Sequence, residues 1–175
     1  GAETCVTCSG DCGVCPFPKI SIIYPTNTTY NKIITSLNYT VSNATDCWYS
    51  TNNGQTNYSI TCGVNVTGLA SVDEGQNNWL VRAINSGNVN QSRVTFVSDI
   101  LSPRFTNLIN LTVAHNESLI YDINVTDYSP VSCFGVNDTT NFKIDCAGIL
   151  QNKTALSVGV YWLNISVNDS LNNRN

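Results

Sequence analysis

The sequence predicts an all-β protein: two tandem β-sandwiches behind a short cysteine-rich segment. Three observations carry that prediction. Short stretches of alternating apolar and polar residues recur along the chain, separated by turns rich in Gly, Asn, Pro and Ser. The cysteines beyond residue 16 fall into two local pairs, Cys47 with Cys62 and Cys133 with Cys146, each spanning a polar loop. One late strand occurs twice, as N-W-L-V-R-A-I-N over 78–85 and as Y-W-L-N-I-S-V-N over 161–168. After the first copy comes another strand, Arg93-Val94-Thr95-Phe96-Val97. After the second comes only the turn Asp169–Asn173, so the second unit reads as one strand short.

Composition narrows the class. Charged residues make up 11% of the 175 and the net charge is −4, so the sequence offers no basic patch to neutralise phosphates and no nucleic-acid partner is expected. Asn, Thr and Ser carry the polarity. No apolar run reaches about 18 residues, so no helix here spans a membrane. Eight cysteines with no methionine, in an even and locally matched arrangement, read as disulfides and hence as an oxidising, extracellular setting.

Asn-x-Ser/Thr sequons point the same way. They stand at Asn27, Asn38, Asn43, Asn57, Asn65, Asn90, Asn110, Asn116, Asn124, Asn137, Asn152, Asn164 and Asn168. An Asn- and Thr-rich chain makes some by chance, but strand alternation places several on outward faces. Asn38 opposes Leu37, Tyr39 and Val41; Asn65 opposes Val64 and Val66. Asn124 opposes Tyr121, Ile123 and Val125; Asn164 opposes Leu163 and Ile165. N-linked glycans are the expected modification.

Taken in order, residues 1–16 (G-A-E-T-C-V-T-C-S-G-D-C-G-V-C-P) have no period and little core, so cross-links must fix them. Cys5, Cys8, Cys12 and Cys15 are separated by two, three and two residues. Zinc ribbons space their pairs by about 15–20 residues. Bacterial iron–sulfur runs space cysteines differently. Two disulfides are the reading adopted, with their three pairings left open; Glu3 and Asp11 could add an ion.

Residues 17–98 form the first sandwich. Strands are expected at Lys19–Tyr24, Ser36–Ser42, Asp46–Ser50, Tyr58–Cys62, Val64–Leu69, Asn78–Asn85 and Arg93–Ser98, with Asn53-Gly54 as a hairpin signal. Trp79, Val81 and Ala83 face inward, with Trp48 beside the Cys47–Cys62 bridge. About seven short strands with regular turns match an immunoglobulin-like or fibronectin-like sandwich. Residues 99–175 form the second, with strands at Ile109–Ala114, Leu119–Thr126, Cys133–Val136, Phe142–Cys146 and Val160–Asn168. By letters Trp79 aligns with Trp162. By alternation Tyr161, Leu163, Ile165 and Val167 face inward, a one-residue slip that turns Trp162 outward.

The stretch N-Y-T-V-S-N-A-T-D-C-W-Y-S from Asn38, continued by N-N-W-L-V-R-A-I-N, resembles the immunoglobulin-like repeats of archaeal extracellular proteins. E-S-L-I-Y-D-I-N-V-T-D from Glu117, with Y-W-L-N-I-S-V-N-D-S-L-N-N, resembles the cadherin-like, dystroglycan-type repeat that often follows them. Glu3, Cys5, Cys8, Asp11, Cys12, Cys15 and Pro16 resemble the end of a small Cys-rich surface module, whose upstream cysteines are missing here. These resemblances imply a cell-surface protein. Cadherin-like repeats can also gather acidic residues around calcium. Here Asp127, Asp138, Asp145 and Asp169 are the candidates, although few dedicated carboxylates are visible; otherwise no metal or cofactor is expected.

No enzyme is expected. The single histidine, His115, sits in a loop, and no nucleophile elbow, phosphate loop or His-Glu-x-x-His occurs. The leading expectation is a structural subunit that self-associates into a glycosylated, pilus-like filament or coat. A domain lacking its last strand offers a slot that a neighbour's strand can fill, and a heterologous contact of that kind propagates. Pro16–Tyr24 of the next subunit, or chain beyond residue 175, would be the donor. The alternative is a stalk or adhesin segment of a longer protein. A carbohydrate-binding module would need clustered exposed aromatics, and Tyr30, Tyr128 and Trp162 are scattered.

Overall fold

A computed structural model describes residues 16–175. Cys5, Cys8, Cys12 and Cys15 lie outside the described residues. Among those described there are fifteen strands and no helix, and the chain divides between Ser98 and Asp99 into two compact units.

The first unit contains β1 (Lys19–Tyr24), β2 (Thr29–Tyr30), β3 (Ser36–Ser42), β4 (Asp46–Ser50), β5 (Tyr58–Ile60), β6 (Val66–Thr67), β7 (Glu74–Asn85) and β8 (Asn88–Asp99). They form two sheets, β1-β3-β6 and β2-β8-β7-β4-β5. The period of two in β7 puts Trp79, Val81 and Ala83 inside and Arg82 out. Val94 and Phe96 of β8, together with Ile34, Leu37 and Tyr39 from the β3 side, complete the core. Trp79 meets Phe96 edge to face, with ring centroids 5.1 Å apart. Burial raises the Tyr39 phenol above its ordinary value, although its hydroxyl bonds the Thr61 carbonyl and the Gly63 N–H.

Two expectations change here. Tyr49, not Trp48, packs on the core, because Trp48 alternates with the buried Cys47 and takes the opposite face. The donor role given to Pro16–Tyr24 also falls, because β1 already pairs antiparallel with β3 from Lys19↔Ser42 to Tyr24↔Asn38. The Asn85 and Asn90 amides donate to the carbonyls of Pro16 and Pro18 at 3.0 and 2.8 Å. Withdrawing this segment would dismantle its own sheet. Cys47 and Cys62 are bonded, with Cα atoms 5.2 Å apart, where β4 pairs with β5.

The second unit contains β9 (Arg104–Phe105), β10 (Ile120–Asp122), β11 (Val125–Thr126), β12 (Val131–Val136), β13 (Phe142–Ile144), β14 (Ile149–Asn152) and β15 (Ile165–Asp169). The pairings are β10-β14-β13, β11-β9 and β12-β15. Leu119, Ile123, Phe142 and Leu150 form the core, and Tyr161, Leu163 and Ile165 pack against it. Cys133 and Cys146 are bonded, with Cα atoms 4.2 Å apart.

The expected strand Leu119–Thr126 is interrupted at Ile123–Asn124, where the Ile123 N–H turns to the Gly148 carbonyl at 2.9 Å. Gly148 is held in the left-handed region at φ 90°, and a Cβ there would sit 2.3 Å from the Ile123 carbonyl oxygen. Gly148→Ala therefore costs roughly 2–3 kcal/mol, more than the conformational penalty alone, because backbone must move. Differential scanning calorimetry should show the loss in one transition only. The expected strands at 109–114 and 160–164 belong to no ladder.

Candidate functional site

Two features of the second unit stand out. The first is a carboxylate cluster. Asp99 opens the unit, Asp127 follows β11 and Asp169 ends β15, and each contributes an oxygen within 4.8 Å of the others. Asp99 and Asp169 are fully buried. Asp169 organises the turn behind it: its Oδ1 accepts the N–H groups of Leu171 and Asn173, both at 2.8 Å, and its Oδ2 accepts the Asn173 amide at 2.7 Å. The same Asn173 amide donates to the Asp99 carbonyl at 3.1 Å. The Asp99 Oδ2 accepts from the Ser129 hydroxyl, and its Oδ1 is buried with no hydrogen-bond partner.

Asp127 and Asp169 thus come together, but Asp138 and Asp145 do not join them. Each instead caps its own turn. The Asn141 side chain and then the Asn141 and Thr140 N–H groups hold the exposed Asp138 carboxyl below its ordinary value. Asp145 accepts the N–H groups of Ala147 and Ile149. Sequence reading missed Asp99. Its signal was there: an acid at the buried end of the alternating run Val94-Thr95-Phe96-Val97-Ser98, where an unpaired carboxylate is costly.

The second feature is an open sheet edge. After the Asp169–Asn173 turn, Arg174 bridges Asn168, and Asn175 exchanges both backbone bonds with Val167 at 3.0 and 3.1 Å. On its other side the Arg174 carbonyl accepts from the Ser102 hydroxyl, and the Asn175 amide donates to the Pro103 carbonyl. This two-residue segment runs antiparallel to β15 and parallel to the chain leaving Ser102. Residues 107–113 and 158–164 join no ladder.

Backbone parity fits. Asn164 and Trp162 turn toward Asn137, so Tyr161, Leu163 and Ile165 turn their N–H and C=O groups the other way, as Val167 does. The flanks are apolar and bare: Ile109, Leu111, Val113, Val158 and Val160 are all exposed. Trp162 is 85% exposed while Trp79 is 1% exposed, the consequence of the slip in alternation between the two copies.

Most sequon asparagines are exposed, among them Asn27, Asn43, Asn65, Asn110, Asn116, Asn124 and Asn164. Asn38, Asn152 and Asn168 are half-buried. The Asn152 and Asn90 amide nitrogens already donate to the carbonyls of Thr154 and Pro18, so a glycan there would cost a bond. Tyr30 packs on Phe96 and Tyr24 in the first core. His115 lies in an exposed turn.

No family model and no curated protein matches the chain. Among solved structures it is similar to Drosophila N-cadherin EC1-4, with a TM-score of 0.43 and 14% identity over 89% of this chain and 46% of that one. It is also similar to the fibronectin(III)-like modules of Clostridium thermocellum CbhA, with a TM-score of 0.39 and 18% identity over 89% and 88% of the two chains. The chain thus spans less than half of the N-cadherin fragment.

Proposed function

We propose that this chain is a structural protein of an extracellular surface, a subunit of a glycosylated filament whose second unit is completed by a β-strand from a neighbouring copy. The observation that carries the reading is the edge beside Arg174 and Asn175, together with two apolar stretches, 107–113 and 160–164, that join no ladder. Unpaired strand edges with exposed apolar flanks are pairing templates. From Val167 back to Val160 an added strand would run for about seven residues, roughly 23 Å at about 3.3 Å per residue. The Cys47–Cys62 and Cys133–Cys146 bonds support an oxidising compartment. In the second reading the strand arrives from the same polypeptide, as in a stalk. The return hairpin at Asn175 favours that, because it already enters the slot in register.

The full chain should run in light scattering at multiples of its 19.0 kDa polypeptide mass. Amides of residues 107–113 and 158–164 should then be protected from exchange. Leu111→Lys with Val113→Lys alters side chains already exposed in the single chain, so both units should stay folded while assembly is lost. A monomer with rapid exchange over both stretches would overturn the polymer. A polymer indifferent to the two lysines would remove the slot from it.

A further inference from the structure

We infer that the Cys133–Cys146 disulfide is an exchange site for external thiols, opened in the folded protein while Cys47–Cys62 stays closed. This rests on where the two bonds lie and is independent of the filament reading. Strand alternation sets the difference. In β4 the period of two sends Cys47 inward with Tyr49, and Cys47 is 1% exposed. Its partner Cys62 is half-buried. In β12 the same period sends Phe134 onto the second core and turns Cys133 outward. Cys146 lies past the end of β13, and both cysteines of this bond are exposed. Exchange requires an incoming sulfur to reach one of the bonded sulfurs. Exposed disulfides are therefore the labile ones, and buried ones wait for their strands to part.

The co-reactant is a low-molecular-weight thiol. Its thiolate attacks one Sγ, a new sulfur–sulfur bond forms and the Cys133–Cys146 bond breaks. The other sulfur leaves as a thiolate and takes a proton from water. A second thiol then resolves the mixed disulfide: the two small thiols end as their disulfide, oxidised, and the cystine ends as two cysteine thiols, reduced. The fold tolerates this step, because each end of the bond is held by other means. β12 is laddered to β15 from Phe134↔Val167 to Val136↔Ile165. The turn around Cys146 is fixed by the Asp145 carboxylate, which accepts the Ala147 and Ile149 N–H groups. The Gly148 carbonyl ties the same turn to the Ile123 N–H at 2.9 Å. Opening removes the strap between β12 and the β13–β14 turn and leaves both ladders in place. The second unit is thereby loosened, and it gains a covalent attachment point for a thiol.

The test holds the full chain at room temperature with reduced glutathione, quenches with iodoacetamide and maps each cysteine by peptide mass spectrometry. Glutathione or alkyl groups on Cys133 and Cys146 should appear at least about a hundredfold faster than on Cys47 and Cys62, whose sulfurs are reached only through opening of the first unit. In denaturant the two bonds should open at similar rates, which assigns the difference to the fold. Amide exchange over β12 and β15 should stay protected in the opened chain. Cys133→Ser with Cys146→Ser removes the bond without a thiol: β12 and β15 should again stay protected, with the melting transition of the second unit lowered by roughly 10–20 °C. The inference is overturned if neither bond opens in the native chain or if both open at equal rates. Collapse of β12–β15 protection, in the opened chain or in the serine variant, overturns it as well.

Discussion

Trp79→Ala should destabilise the first unit by about 3–5 kcal/mol, the range for removing a buried aromatic from a packed core. Trp79 is 1% exposed and lies between the two sheets, edge to face with Phe96, which itself contacts Tyr30. Its removal leaves a void in the core cluster it shares with Leu37, Val81, Val94 and Phe96, which is packed closely enough to have little room to collapse. Against a typical domain stability of about 5–15 kcal/mol, a loss of this size populates the unfolded state. Trp162→Ala is the matched control. The residue is 85% exposed, so its loss should stay within about 0.5 kcal/mol. Because the chain has two units, a single transition is not assumed. Hydrogen exchange at β7 and β8 should rise in Trp79→Ala while β12 and β15 keep their protection. Equal losses from both tryptophan variants would contradict the face assignment.

That pair shows what alternation makes readable. Both tryptophans sit in the same letter pattern, and only the period of two, applied from Tyr161 through Val167, separates the inward one from the outward one. The same rule located β1, β3 and β4 and put Asn53-Gly54 in left-handed turn geometry, with φ of 60° and 86°. It failed for Trp48, where sequence proximity to Cys47 was taken for shared burial although adjacent strand residues face opposite ways. It also over-read 109–114 and 160–164. Their patterns are those of strands, but a ladder needs a partner on the open side, and pattern alone does not supply one. The carboxylate cluster was half legible. Asp127 follows β11 and Asp169 ends β15, and the fold brings the two together, whereas Asp138 and Asp145 cap their own turns through bonds to residues two to four positions on.

Asp169→Ala should cost the second unit about 4 kcal/mol, because three donors lose one acceptor. The N–H groups of Leu171 and Asn173 and the Asn173 amide all point at this carboxylate. A donor left unmet inside the protein costs about 1–3 kcal/mol. Asp169→Asn separates the two roles of the side chain. Its amide oxygen can keep both N–H bonds of the turn, so only the contact with the Asn173 amide is lost and the cost should fall to about 1 kcal/mol. It also removes one of three clustered negative charges, which offsets part of that cost. Exchange of the Val167 and Asn175 amides, which bond each other, reads the turn directly. Fast exchange in Asp169→Ala with near-parental protection in Asp169→Asn would assign the turn to hydrogen bonding and not to charge. Equal loss in both would mean that the negative charge itself, meeting three donors in a desolvated turn, holds the return of the chain along β15.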